Sequence, residues 1–279
     1  MNEKGKKIVN HLILIAGSFI MLFPMVWLIS SAFKPGTEIF GSDFKLISEN
    51  FTLQNFIDGW FINPTHSFGY FLKNTFILVG VVIVGTVISS ALTAFAFARL
   101  HFKGKGILFI FMLATMMLPA QVTLIPKYIM FSNMGWIDSY LPFIVPAFCA
   151  VNGFHIFLMV QFIRGIPKDL DEAAYIDGCS TFGIFLKIIM PLCKPVLFSI
   201  AIFTFIWTCD DYINQLIYIS SVDKFTVSLF LRSLIDSTSS VAWGPLLANT
   251  LISLLPSIIL FFIAQPYFVE GIATSGLKG

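Results

Sequence analysis

Charge is what this chain has least of. Only 11 % of its 279 residues are Asp, Glu, Lys or Arg, where a soluble domain carries about a quarter. With 57 % hydrophobic residues and a mean hydropathy of +0.88, an ordinary soluble domain is excluded. The few cations form no run or patch and the net charge is +2, which excludes a nucleic-acid partner. Cysteine is limited to Cys149, Cys179, Cys193 and Cys209, in or beside apolar segments at spacings that match no zinc or redox motif, so neither a disulfide framework nor a metal site is implied. His11, His66, His101 and His155 are scattered and form no ligand set. HExxH, Gly-x-Ser-x-Gly and the phosphate-binding GxxxxGK[ST] loop are all missing. The chain therefore lacks the usual means of hydrolysing ATP, and no catalytic residue is assigned.

Long apolar runs are what it has instead. Residues 8–33, 70–100, 107–131, 140–163, 196–219 and 246–269 each meet the length of about 20 residues that a membrane-spanning helix needs. The reading is an all-α polytopic membrane protein of six transmembrane helices, one transmembrane domain over residues 1–279. The first run exceeds a signal-peptide core of about 7–15 residues and ends without a small-x-small cleavage site, so it is expected to be a retained helix, kinked at Pro24. Residues 34–69 are too polar to span and too aromatic for a free linker, and are expected to lie against the outer face. The second run carries Gly80, Gly85, Ser89, Ser90, Ala91 and Ala94, small residues that let helices approach closely.

Two runs carry polar interruptions. In the third, Pro119 and Pro126 flank Gln121, and irregular backbone at membrane depth is tolerated where it lines a cavity or is buried in protein. In the fifth, Asp210, Asp211, Asn214 and Gln215 stand where a continuous helix would set Asp210 over Asn214 and Asp211 over Gln215. Ionisable groups in a span read as functional, because an unpaired carboxylate there costs about 2.5–3.5 kcal/mol. These residues are the candidates for a substrate pathway, offering amides and carboxylates to hydroxyl groups. The competing reading is that the two acids bond to neighbouring helices or lie at the outer interface.

An even number of spans puts both termini on one side. If that side is cytoplasmic, the inner segments hold eleven of the lysines and arginines and six remain elsewhere, the bias expected of cytoplasmic loops. The polar stretch 164–195 then lies in the cytoplasm, between spans 4 and 5. Within it, Pro167 is placed to open a helix. Leu170, Ala173, Ala174 and Asp177 come next at three-and-four spacing. Gly178 suits the left-handed residue that ends such a helix, Ser180 or Thr181 caps a second one, and Pro191 and Pro195 punctuate that second helix.

These residues carry a resemblance. Glu172-Ala173-Ala174, three residues, Gly178, nine residues, then Ile188 and Pro191 resemble the EAA loop of importer-type ABC transporter permeases, with Met190 where Leu is usual. The carbohydrate-uptake, maltose-type branch is the most similar, through AFAFARLHFKGKG, MMLPAQVTLIP and QPYFVEGIATSGLKG. The resemblance implies a bacterial plasma-membrane importer subunit that binds no cofactor itself. Its partners would be two ATP-binding subunits using ATP and Mg, a homologous second permease, an extracytoplasmic substrate-binding protein and the surrounding lipid. Glu172, Ala173, Ala174, Asp177, Gly178, Ile188 and Pro191 would couple to the ATPase, and the tail with Gly276 and Lys278 would reach it too. Substrates of such permeases include sugars and oligosaccharides, polyols and glycerol phosphate. The chain departs from the family at Pro266, where Arg is common, and Pro266 is expected to shorten or bend the sixth helix. A secondary transporter is the alternative from another class, but it has no need of an EAA loop and more often pairs charges at the midplane. A scaffold subunit without a pathway would not need Pro119, Gln121 or Asp211.

Overall fold

The structure, a computed structural model, describes residues 3–41, 46, 50–236 and 241–276. The described residues form helices and no strand: α1 (Glu3–Ala32), α2 (Gly36–Ile39), α3 (Gln54–Trp60), α4 (Phe68–Arg99), α5 (Lys105–Met116), α6 (Ala120–Asn133), α7 (Leu141–Phe148), α8 (Gly153–Gly165), α9 (Asp169–Ile176), α10 (Thr181–Ile184), α11 (Met190–Leu192), α12 (Lys194–Asp210), α13 (Tyr212–Tyr218), α14 (Val227–Asp236) and α15 (Trp243–Gly276). A π-helical turn at Phe185–Ile189 joins α10 to α11. Among the described residues, four stretches are long and apolar enough to cross a membrane: Lys7–Ala32, Phe68–Arg99, Leu141–Gly165 and Trp243–Ile263. Two further pairs, α5 with α6 and Thr181–Leu192 with α12, pass the same test but bend by 103° and 76°. Counting each pair as one span gives up to six, consistent in number with the hydropathy reading, although the second pair includes residues 181–192, outside the fifth run.

One compact unit comprises Met1–Leu72 with Phe230–Pro256. Asparagines stitch it. Asn55 Nδ2 donates to the carbonyls of Ala32 (2.9 Å) and Lys34 (2.7 Å), and Asn249 Nδ2 donates to that of Gly59 (2.8 Å). Gly59 is required there, since a Cβ would come within 2.9 Å of Asn249 Oδ1. Phe71 stacks on Phe230 at 4.0 Å. The most apolar stretch of α1 is wholly unburied within the chain.

The other unit comprises Lys73–Leu229 with Ser257–Gly279. Its core joins α4 and α8 to the segment α9–α12, with Ala94, Ile163, Ile189 and Ile200 fully buried. The small residues of α4 do what their size permits. Gly85 lies so close to the Phe148 ring that a Cβ would meet it at 2.6 Å, and Ser89 Oγ donates to the carbonyl of Ala147 at 2.7 Å. Gly80 faces open space instead.

Several spans differ from the continuous helices that hydropathy suggests. In the third, the break lies at Pro119 alone, which adopts φ −58° and ψ 133° and caps α6. Pro126 sits inside α6 without ending it. The fourth is interrupted between α7 and α8, where Ala150 has φ +56°, and Asn152 Oδ1 caps α8 by accepting from the His155 N–H at 3.3 Å. The fifth breaks at Asp211. Pro266 does not shorten the sixth: α15 runs through it to Gly276.

Candidate functional site

The stretch 164–195 folds much as its residue types dictate. Lys168 caps α9, so Pro167 stands just before the helix and not within its first turn. Gly178 has φ +79°. The N–H of Cys179 donates to the carbonyl of Ala174 (2.9 Å) and that of Gly178 to the carbonyl of Tyr175 (3.0 Å). This pair of bonds is the Schellman ending, which a left-handed residue makes possible. Ser180 Oγ then accepts from the N–H of Gly183 at 3.1 Å and caps α10. Pro191 has no N–H to give to the preceding turn and its ring crowds it. The π turn, with Met190 N–H reaching the carbonyl of Phe185, widens the helix directly ahead of the proline.

Burial splits this segment into two faces. Ala174 is 6 % exposed and belongs to the same core as Ala91, Ile156 and Ile189, with Ile188 packed against that core. Glu172, Ala173, Asp177 and Gly178 are exposed, and beside them Ile176 is 87 % and Phe182 61 % exposed. The residues at three-and-four spacing are therefore divided, with Ala174 facing inward and Leu170 and Ala173 outward.

Sequence reasoning missed the contact that holds α9 in place. Arg99, the last residue of α4, brings Nε to 2.7 Å from Asp171 Oδ2, with side chains only 6 % and 13 % exposed. Its terminal nitrogen also donates to the carbonyl of Ile166 at 2.8 Å. The signal was present in the chain: a basic residue ending one long apolar run and an acid beside the Glu-Ala-Ala triplet.

Two cavities open among α4–α8 and α12–α13. The larger, about 1020 Å³, is lined by residues including Thr86, Ser90, Thr115, His155 and Trp207. The smaller, about 350 Å³, is lined by Trp136, Cys149, Asn214 and Tyr218 among others. Lys127, Phe143, Pro146, Val151 and Asp211 border both. Of the pathway candidates, Asp211 thus lies on both walls and Asn214 on one. Leu118 and Ala120 line the larger cavity on either side of Pro119, while Pro119 and Gln121 are exposed beyond it.

The helix break at Asp211 changes the expected pairing of the fifth span. Asp211 Oδ1 accepts from the N–H of Asn214 (3.2 Å), and both carboxylate oxygens accept from its side-chain amide (2.8 and 3.0 Å). Asp211 therefore pairs with Asn214, not with Gln215. Gln215 is 1 % exposed. Its Nε2 donates to the carbonyl of Thr208 at 2.8 Å, and its Oε1 accepts from the Thr226 hydroxyl. It is a structural strut off the cavity wall, and Asp210 is exposed away from that wall.

At the opposite end of the fourth span from α9, Asp138 ties two loops together from a left-handed conformation, φ +55°. Its Oδ1 accepts from the N–H groups of Ser220 (3.1 Å) and Ser221 (2.9 Å). Its Oδ2 accepts from Ser221 Oγ (2.6 Å) and Lys224 Nζ (2.8 Å). Led by Lys224 and Ser221, these donors hold its carboxyl well below the usual carboxylate range.

The family model described as binding-protein-dependent transport system inner membrane component matches residues 85–270. The chain belongs to this family. The permease is 34 % identical over 257 residues to the probable ABC transporter permease protein YurM of Bacillus subtilis, covering 92 % of this chain and 84 % of that one. It is 31 % identical over 279 residues to the trehalose/maltose transport system permease protein MalG of Thermococcus litoralis, covering 98 % and 99 %. Its fold matches a chain of a bacterial ABC transporter that imports the acidic polysaccharide alginate, with a TM-score of 0.85 over 96 % of this chain and 99 % of that one at 21 % identity. The permease is a multi-pass membrane protein of a transport system, and the stretch 164–195 lies within its matched region. Lys278 falls outside the described residues, and Gly276 closes α15.

Proposed function

We propose that this permease forms half of the pathway of an ATP-driven importer for a sugar or oligosaccharide. A polyol or glycerol phosphate is the second substrate reading within the same class. Nucleotide chemistry belongs to two separate ATP-binding subunits using ATP and Mg. A homologous second permease supplies the other half of the pathway, and an extracytoplasmic binding protein delivers the substrate. Both termini and the stretch 164–195 are cytoplasmic.

The observation that carries this reading is the continuity between the exposed Glu172 face and the helices around the cavities. Ala174 shares one close-packed core with α4, α8 and α12, and the Arg99–Asp171 pair ties α9 to the end of α4. A packed core moves as a unit and does not deform continuously. A shift imposed on α9 by closure of the ATPase therefore reaches the cavity walls as a rigid-body displacement. Glu172, Ala173, Asp177 and Gly178 meet the ATPase, Ile188 and Pro191 shape the support beneath them, and the tail at Gly276 and Lys278 adds a second contact. Asp211 and Asn214 contribute hydrogen-bonding groups to the pathway beside Pro119 and Gln121.

The test is purification of this subunit from membranes, with mass spectrometry of what accompanies it and an ATPase assay of the assembly. Recovery of an ATPase, a second permease and a binding protein is expected. Recovery of the chain alone, with uptake independent of ATP, would instead favour a secondary transporter.

A further inference from the structure

Hydrogen bonds and a ring contact draw three cations together where α4, α5 and α8 end or begin. Arg99, the last residue of α4, donates to the carbonyl of Ile166, in the segment between α8 and α9, at 2.8 Å. The carbonyl of the next residue, Leu100, accepts from Lys105 Nζ at 2.8 Å. Arg164, near the end of α8, holds its guanidinium carbon 5.1 Å from the centre of the Phe109 ring, one helical turn beyond Lys105 on α5. Lys168 caps α9. The charges that bear on the Lys105 ammonium are those of Arg164 and Lys168, both of its own sign.

No acid of the chain offsets this crowding directly. Asp171 is taken by Arg99. Asp169 and Glu172 stand exposed on α9, yet among the described residues Lys105, Arg164 and Lys168 form no ion pair. Like charges held close repel, and an anion seated among them relieves the repulsion.

The surface beside the cluster says which anion. None of the residues of α5 is buried, and Ile107, Leu108, Ile110 and Phe111 are 64, 53, 67 and 66 % exposed. An apolar helix face therefore runs directly on from the cations. Basic pockets between spans on the cytoplasmic side take lipid headgroups, and here an acyl chain has a surface to follow. Inorganic phosphate or an acidic protein surface would use the cations and leave the apolar face uncovered.

We propose that Lys105, Arg164 and Lys168 hold the phosphate of an anionic phospholipid of the inner leaflet, with its acyl chains along the exposed face of α5. The leaflet rests on the cytoplasmic placement of residues 164–195 given above.

The full-length permease, purified in detergent, is mixed with equal amounts of phosphatidylglycerol and phosphatidylcholine of the same acyl chains. Native mass spectrometry reads which lipid it retains. Phosphatidylglycerol should be favoured by at least about tenfold, and Lys105→Gln, Arg164→Gln and Lys168→Gln should each cut the preference by about fivefold, as one cation beside an anionic headgroup would. A triple variant that keeps the charges, Lys105→Arg with Arg164→Lys and Lys168→Arg, should keep most of the preference, which separates charge from folding. Lys194→Gln, which neutralises an exposed cation at the start of α12, should change nothing. Equal retention of the two lipids, or an equal loss in Lys194→Gln, overturns the site. Displacement of the lipid by millimolar inorganic phosphate would make it a free-anion site, and release of the lipid when the ATPase subunits bind would assign the cations to that interface; either result also overturns the proposal. None of these readings requires transport. Loss of the lipid preference with ATP-driven uptake intact removes the lipid site alone, whereas ATP-independent uptake by the assembled transporter counts against the importer reading.

Discussion

Arg99 Nε sits 2.7 Å from Asp171 Oδ2, and the pair is almost wholly shielded from water. It fastens the last residue of α4 to the first turn of α9, one residue from the exposed Glu172. Removing one partner leaves a buried charge uncompensated, which costs about 3–5 kcal/mol. Arg99→Ala and Asp171→Ala should each lower the melting temperature of the detergent-solubilised protein, and the apolar double variant Arg99→Met with Asp171→Leu should recover much of the loss. Equal melting of all variants would show that the pair carries no stability.

Glu172 behaves differently, because its side chain is exposed. Glu172→Lys should leave the melting temperature of the isolated permease unchanged while lowering co-purification of the ATPase and ATP-driven uptake. Normal uptake with normal ATPase association would remove Glu172 from the coupling face.

Gly178 is held at φ +79°, with open space around the position of a Cβ. The penalty for a side chain there is purely one of backbone conformation, about 1–2 kcal/mol. Gly178→Ala should therefore destabilise the end of α9, and Gly178→Asn should do so less, since Asn tolerates the left-handed region better. Hydrogen exchange at the Gly178 and Cys179 amides reads the difference.

For Asp211 and Gln215 the structure separates two effects that their neighbouring positions conflate. Gln215→Ala leaves the Thr208 carbonyl and the Thr226 hydroxyl without their partner, at about 1–3 kcal/mol, and should lower the melting temperature. Asp211→Ala opens onto the cavities and should lower uptake at equal protein recovery. If Gln215→Ala lowered uptake with no change in melting, the strut assignment would be wrong.

Asp138 supplies a pH dependence with a definite sign. Its carboxyl is depressed in the folded state by Lys224, Ser221 and Ser220, so the unfolded chain binds its proton first as pH falls. The stability it contributes is fully present above the ordinary carboxylate value of about 3.9 and is lost as pH falls through the lower folded value. Thermal melts from pH 7 down to pH 3 should show a decline that is shallower in Asp138→Asn, which should also melt earlier at pH 7.

Pattern alone determined a good part of this protein. Six apolar runs dictate an all-helical membrane chain, because a backbone in lipid must satisfy its own hydrogen bonds. Local chemistry set the end of α9 at Gly178 and the cap at Ser180, since a left-handed residue and a capping hydroxyl act within a few positions. The Glu172–Pro191 spacing was sufficient to indicate the family. Tertiary structure decided the rest. Asp211 ended a helix that periodicity continued, because its carboxylate found the Asn214 amides on the next turn and Gln215 found Thr226 from another segment. Pro126 and Pro266 stayed inside their helices while Pro119 turned the chain by 103°. Ser90, His155 and Lys127 met Asp211 around one shared cavity although they lie far apart in sequence. A residue's neighbours across the bundle are set by packing and long-range hydrogen bonds, and no spacing along the chain encodes them.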